Sequence, residues 1–174
     1  MALRRTLDDR HSIYVDRNFP KTLSQKEGYR YRVTLGVGGN IGDVRRRMNH
    51  LWFYLRRSPL VSVLRSGVIL TNPPFGYLAQ SDFENTVIEI ATSLQPRALL
   101  RLIWRIEKRF GRCRSFANAP RTLDLDILFF EKRFIRTKEL SIPHPHWSAR
   151  VSVTIPLGSL ARQSVRRRYE NLDI

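Results

Sequence analysis

The stretch RTLDLDILFF, Arg121 to Phe130, constrains the fold more than any other part of the chain. Apolar residues alternate there with Asp124 and Asp126, and alternation marks a strand, whose successive side chains point to opposite faces. Leu123, Leu125, Ile127 and Phe129 then share an apolar face, and two carboxylates share the other. Two residues along a strand span about 6.5–7 Å, where two negative charges repel by roughly 2–2.5 kcal/mol at an effective dielectric of about 20. A positive group between them is expected: Arg112, Arg114, Arg121 or a metal ion. A solvated strand with an open polar side has the same spacing, and the pattern alone does not choose.

Upstream, residues 1–29 hold few apolar side chains and are expected to form a weakly structured extension, anchored by Ile13, Tyr14 and Phe19. The organised domain is expected over residues 30–174. Tyr31, Val33, Leu35 and Val37 alternate as a strand into Gly38, Gly39 and Gly42, read as a strand-to-helix turn with close backbone approach. This is no phosphate loop: the Lys-Ser/Thr pair is missing, and Ile41 stands where a third glycine would be needed. Asp43 then reads as an N-cap, with Val44, Met48, Leu51, Trp52 and Leu55 on one side of a helix ended by Ser58 and Pro59. A second strand covers Val61, Val63 and Val68 to Leu70, and Asn72-Pro73-Pro74 breaks it. After a loop, a third strand runs from Phe83 to Ala91. Pro96 opens a helix carrying Leu99, Leu102, Ile103, Ile106 and Phe110, which Gly111 terminates. A short hairpin strand at Phe134 and Ile135 and a last strand from Val151 to Leu157 complete the reading.

The net charge of +16, from 31 basic and 15 acidic residues, predicts attraction to anions without saying which. The single cysteine, Cys113, excludes an intramolecular disulfide and a multi-cysteine zinc site, and suits a reducing cytoplasm. No run of 18 apolar residues is present, so neither a membrane span nor a membrane partner is expected. Nothing specifies an oligomer, and a monomer is the expectation.

Three arginines in GRCRSFANAPR, Arg112, Arg114 and Arg121, immediately precede the aspartate strand. Folded back over the acidic face, they would surround a metal site with guanidinium groups. Phosphoryl transfer needs that combination: carboxylates hold the metal, and arginines neutralise charge on the transferred group. His144 and His146, without a third ligand, make a poor zinc site.

In order along the chain, GGNIGD, NPPFGYLAQSDFEN, IEKRFGRCR, PRTLDLDIL and PHPHWSAR followed by IPL resemble the 6-hydroxymethyl-7,8-dihydropterin pyrophosphokinases of folate synthesis. The resemblance runs from about Val33 to Leu157. It implies an α+β, ferredoxin-like βαββαβ core, an antiparallel sheet with helices packed on it. It also implies transfer of pyrophosphate from ATP to the pterin hydroxymethyl oxygen, releasing AMP, with two Mg2+ ions. Carried over by position, Asp124 and Asp126 would be the metal ligands, and Arg112 and Arg121 would stabilise the transferring phosphates. Glu107, Arg114, Ser141, His144 and Arg150 would lie around the nucleotide. Asn72, Pro73, Pro74, Phe75 and Gly76, with Phe83 and Asn85, would form the pterin side. The chain departs from the family pattern at Ser152, where an aromatic is usual, leaving Trp147, Phe116 or Phe75 to supply a second ring. Ala117, Asn118 and Ala119 replace the usual Arg-Trp-Gly before Pro120, and Pro145 follows the first histidine of the PH motif.

A competing reading is an RNA-binding module, which would present a basic, aromatic sheet face. Two acids on a central strand oppose it, no RRM-like aromatic consensus appears, and no specific nucleic acid is expected as a partner. A pyrophosphokinase-like protein that has lost activity is the third reading.

Overall fold

Elements alternate along the chain as the periodicity requires. In this computed structural model, which describes residues 2–113 and 119–170 (164–170 as backbone only), they are β1 (Leu3–Thr6), β2 (Ser12–Val15), β3 (Lys21–Thr22), β4 (Tyr31–Gly39), α1 (Val44–Arg57), β5 (Val61–Ser66), β6 (Ile69–Asn72), β7 (Phe83–Thr92), α2 (Pro96–Arg109), β8 (Asp124–Phe130), β9 (Ile135–Arg136), β10 (Ser141–Ile142) and α3 (Val151–Glu170). Antiparallel pairing gives the order β8-β4-β7-β5, and β6 pairs with the other end of β7. This is the βαββαβ arrangement of a ferredoxin-like fold.

The two helices begin and end where their sequences dictate. Asp43 accepts a hydrogen bond from the Arg46 N–H at 3.0 Å, supplying an N-cap for α1. Pro96 occupies the first turn of α2, and Gly111, at φ +79°, reverses the chain beyond its end. Met48, Leu51, Trp52 and Leu55 of α1, with Leu99, Ile103 and Ile106 of α2, pack on Val33, Leu35, Ile88, Ile90, Leu125 and Ile127. Each fully buried aliphatic side chain contributes about 1.5–3 kcal/mol.

β8 departs from simple alternation. Its register with β4 shifts between Thr34 and Leu35, where Leu128 is the extra residue of a β-bulge. Leu125, Ile127 and Phe130 therefore remain in the core under α1 and α2, whereas Leu128 joins Val87, Val153 and Leu160 in a second cluster. Phe129 packs against that second cluster and meets Trp147 edge-on at 4.9 Å, so it does not share the face of Leu125 and Ile127 as alternation predicts.

The strand expected from Val151 to Leu157 is the start of helix α3. V-S-V-T-I alternates, but Val153, Leu157 and Leu160 also recur at helical spacing, and they belong to the cluster of Val87 and Leu128. Pro156 lies inside this helix, and its carbonyl approaches the backbone between β5 and β6. A Cβ on Gly67 would lie 2.6 Å from that oxygen, so a glycine is required there. Ser159 Oγ donates to the Pro156 carbonyl at 2.6 Å and accepts from the Val68 N–H at 3.0 Å, tying α3 to the sheet.

The N-terminal segment contributes strands to the same sheet, a departure from the weak structure expected of it. β2 pairs with β6, placing Ile13 opposite Leu70, while β1 pairs with β2 and β3 pairs with β5. Phe19 is fully buried, 5.7 Å from the Trp52 ring, and the Arg45 guanidinium sits 4.2 Å above Tyr14. Of these strands, two to four residues long, β2 and β3 take ladder partners from β6 and β5, a long-range gain invisible to local hydrophobicity, and β1 is added on β2. Phe19→Ala should lower stability by about 3–5 kcal/mol. Urea denaturation measures it, and a loss under about 1 kcal/mol would detach this segment from the core.

Candidate active site

The pairing register assembles a polar floor from three strands. Asp124 lies opposite Gly38, which lies opposite Asn85; Asp126 lies opposite Gly36, which lies opposite Val87. Because Gly36 and Gly38 have no side chains, bare backbone separates the carboxylates from Asn85. A Cβ on Gly38 would come within 2.5 Å of Asn85 Oδ1. Asn85 in turn donates to Asn72 Oδ1 at 2.8 Å, and the Asn72 amide donates to the Pro73 carbonyl at 2.8 Å. Gly38 and Gly39, read from sequence as part of a turn, are the last residues of a strand, and the turn itself starts at Asn40. The expected close approach is present at Gly39, where a Cβ would lie 2.6 Å from the Thr122 carbonyl.

Asn40 locks the segment that leads into β8. Its N–H donates to the Arg121 carbonyl at 2.9 Å, and its Oδ1 accepts from the Arg121 N–H at 2.9 Å. Its amide nitrogen donates to Gln80 Oε1 at 2.9 Å and to the Ser81 carbonyl at 3.1 Å, so one side chain joins the strand before Asp124 to the loop after Pro74. Arg47 adds a bond from α1 to the Thr122 carbonyl at 3.0 Å. Sequence reading missed Asn40 and Arg47; the quoted GGN was the available signal, but its asparagine acts on partners far along the chain.

Charges converge on Asp124. Arg112 reaches its Oδ1 at 2.6 Å and Arg121 its Oδ2 at 2.5 Å, so both arginines compensate Asp124 directly and neither forms an ion pair with Asp126. Arg112 is itself held by Glu107, whose Oε1 also accepts from the Leu125 N–H at 2.8 Å. Burial pushes the Glu107 carboxyl above its ordinary value, opposed by the Leu125 N–H and the Arg112 charge. Burial, and then the charge of Asp124, push the Asp126 carboxyl up as well, while His144, Arg112 and Arg150 pull it down. His144 is positioned by its N–H bond to the Leu128 carbonyl at 2.9 Å. His144 Nδ1 and Arg121 Nε are buried without a hydrogen-bond partner among the described residues, so both can still receive or donate a bond to a ligand.

The other anticipated residues are more dispersed. Phe83 lies under Arg121, whose guanidinium is 5.3 Å above its ring. Pro73 and Pro74 are half-buried at the end of β6, whereas Phe75 is 82% exposed and Gly76 turns with φ +82° on the outer loop. Ser141 lies in β10, opposite Arg136. Arg114 and Phe116 fall outside the described residues. Trp147 is engaged with Phe129, and Phe75 stands free of the floor.

A divalent ion fits this donor set only in company. No group of three or more His, Cys, Asp or Glu side chains capable of holding a metal occurs among the described residues. Asp124 and Asp126 offer hard oxygen donors, and the Asp126 side chain makes no hydrogen bond or ion pair with the described residues. Mg2+ commonly takes one or two carboxylates from the protein and its remaining oxygens from phosphate and water. Two acids beside two arginines match that division.

Comparison with known proteins assigns the scaffold to a class of ATP-dependent diphosphotransferases. Residues 34–162 match the family described as 7,8-dihydro-6-hydroxymethylpterin-pyrophosphokinase. The chain is 39% identical over 147 residues to the 2-amino-4-hydroxy-6-hydroxymethyldihydropteridine pyrophosphokinase of Helicobacter pylori, covering 83% of this chain and 90% of that protein. It is 38% identical over 144 residues to the enzyme of that name from Campylobacter jejuni, covering 83% and 92%, and 38% identical over 129 residues to that of Bacillus subtilis, covering 74% and 77%. The chain belongs to the 7,8-dihydro-6-hydroxymethylpterin-pyrophosphokinase family.

Asn40→Ala should release the backbone at Arg121 before it unfolds anything else, since each lost hydrogen bond is worth about 0.5–1.5 kcal/mol. Amide exchange in a peptide spanning residues 119–125 should accelerate about tenfold or more while peptides from α2 keep their protection. Unchanged exchange there would remove Asn40 as the lock.

Proposed function

We propose that this chain transfers the pyrophosphoryl group of ATP to the hydroxymethyl oxygen of 6-hydroxymethyl-7,8-dihydropterin, releasing AMP, in folate biosynthesis. The observation that carries this reading is the pair Asp124 and Asp126 on a glycine floor, with Arg112 and Arg121 holding Asp124, in a chain of this family. The pterin hydroxyl oxygen forms a bond to the β-phosphorus and loses its proton to solvent, while the bond from that phosphorus to the oxygen bridging toward the α-phosphate breaks and AMP leaves with that oxygen.

Arg112 and Arg121 sit where negative charge must be met, and bidentate guanidinium donors suit phosphate oxygens. On ATP arrival they can exchange part of their bonding to Asp124 for phosphate. That exchange leaves the carboxylates to a cation. Two Mg2+ ions, held by Asp124 and Asp126 together with phosphate oxygens, would supply Lewis-acid polarisation of the transferred group. His144, Arg150 and Arg114 would contact the nucleotide, with Ser141 at its edge. Glu107, 3% exposed, acts by holding Arg112. On the other side of the glycine floor, Asn85 and Asn72 present amides to a heterocycle edge, and Phe83 offers a ring. Pro73, Pro74, Phe75 and Gly76 would close over the pterin from the outer loop.

The catalytic domain would comprise residues 30–174, with residues 1–29 as an extension bracing it. A monomer in the cytoplasm is consistent with this reading. No helix among the described residues is long and apolar enough to cross a membrane.

Incubation with ATP, Mg2+ and the pterin, followed by nucleotide analysis, tests the proposal. AMP should form only when pterin is present, and Asp124→Ala and Asp126→Ala should each cut the rate at least about a hundredfold. ADP as product would indicate a different transfer. A folded protein that binds pterin without turnover would support the inactive reading.

A further inference from the structure

Helices α1 and α2 each carry five basic residues, and between them a single acid, Glu107, which is buried. On α2 the exposed positions include Arg97, Arg101, Arg105 and Lys108, at spacings of three or four residues. Like charges at that spacing destabilise a helix by about 0.2–0.5 kcal/mol per pair. Arg97 also stands in the first turn, at the positive end of the helix dipole, where a cation is unfavourable. Five arginines elsewhere have acidic partners: Arg32 and Arg65 meet Glu89, Arg45 meets Glu84, and Arg112 and Arg121 meet Asp124. No carboxylate among the described residues forms an ion pair with the α2 row.

Two neighbours extend the pattern. Trp104 is 40% exposed within the row. At the end of α1, Lys26 Nζ donates to the Arg56 carbonyl at 3.2 Å, bringing in another cation. The C-terminal ends of the two helices meet through Tyr54 and Phe110, 6.0 Å apart, so their outer surfaces form one basic layer.

We propose that this helical layer docks the phosphate backbone of nucleic acid through Arg97, Arg101, Arg105 and Lys108, without reading base sequence. The row is about 16 Å long at 1.5 Å per residue, against one phosphate per about 3.4 Å of a duplex strand. An anionic lipid surface fits less well. The exposed large apolar residues of the layer are Trp104 at 40% and Phe53 at 37%, and both helices bury their apolar faces in the core, leaving none to sink into lipid. Asp124 and Asp126 occupy the opposite face of the sheet, so docking here leaves the acidic floor open.

The test is fluorescence anisotropy with a labelled 20-base-pair DNA duplex, titrated from 50 to 300 mM NaCl, using the full chain. Each phosphate contact contributes about 0.9 to the slope of log K against log salt. Replacing Arg97, Arg101 and Arg105 by glutamine should reduce the slope by about 2.7 and weaken binding at least about tenfold at 100 mM. Arg101→Gln alone should remove about 0.9 and serves if the triple variant is unstable. Exchanging the exposed Arg5, Arg10 and Arg136 for glutamine removes the same charge elsewhere and should change affinity less than threefold. Equal losses in both triple variants would reduce the effect to bulk charge and overturn the assignment. So would failure to bind the duplex at 50 mM, and binding only to phosphatidylserine vesicles would give the surface to lipid instead.

Discussion

The carboxylate of Glu107 accepts hydrogen bonds from the Leu125 N–H and from Arg112, and so joins three parts of the chain: the end of α2, the segment just beyond Gly111, and β8. Gly111 makes the junction possible, because its φ of +79° turns the chain back far enough for the Arg112 N–H also to reach the Glu107 carbonyl at 3.0 Å. Removing one partner of such a buried pair typically costs about 3–5 kcal/mol. The arrangement is therefore rigid, and it determines where Arg112 meets Asp124. The burial that pushes the Glu107 carboxyl up is opposed by an N–H and a guanidinium, so a buried acid can serve as an acceptor for both.

Asn40 performs the corresponding task at the other end of the segment. It holds Arg121 through backbone and side chain while also holding Gln80 and Ser81. Arg112 and Arg121 thus approach one carboxylate from two independently anchored directions. Flexible arginines at both positions would lose side-chain entropy on every encounter with ligand; anchoring them in the folded state removes much of that cost beforehand.

Local pattern carried α1, α2 and the long strands, because capping, helical spacing and alternation are all short-range signals. Asp43, Pro96 and Gly111 mark boundaries that the structure keeps. The misreadings share one physical origin. Whether Val151 to Leu157 is helix or strand is decided by Val87 and Leu128, residues far away in sequence, and by the approach of the Pro156 carbonyl to Gly67. The face on which Phe129 lies depends on a register shift against β4. Strands β2 and β3 exist because β6 and β5 have free edges to offer. At the candidate site, the acids and arginines could be named from order and spacing. Their pairing could not, nor could the role of glycines that matter for what they leave empty.

Charge balance explains why the acidic floor and a polyanionic substrate can coexist. Among the described residues, Glu107, Asp124 and Asp126 face Arg112, Arg121 and Arg150, a set whose formal charges cancel. The remaining positive charge of the chain attracts anions from a distance, but screening limits that attraction to about 8 Å at physiological ionic strength. Among the described residues close to the floor, a triphosphate would therefore meet as many carboxylates as guanidinium groups. Under the proposed function, Mg2+ accompanying the nucleotide would bring two cationic charges per ion, whereas the Asp126 carboxyl at rest is pushed up first by its burial and then by the charge of Asp124. The two acids in an otherwise apolar strand are tolerated because arginines neutralise one of them at rest, and under the proposed function both would acquire their full complement of cations only with substrate.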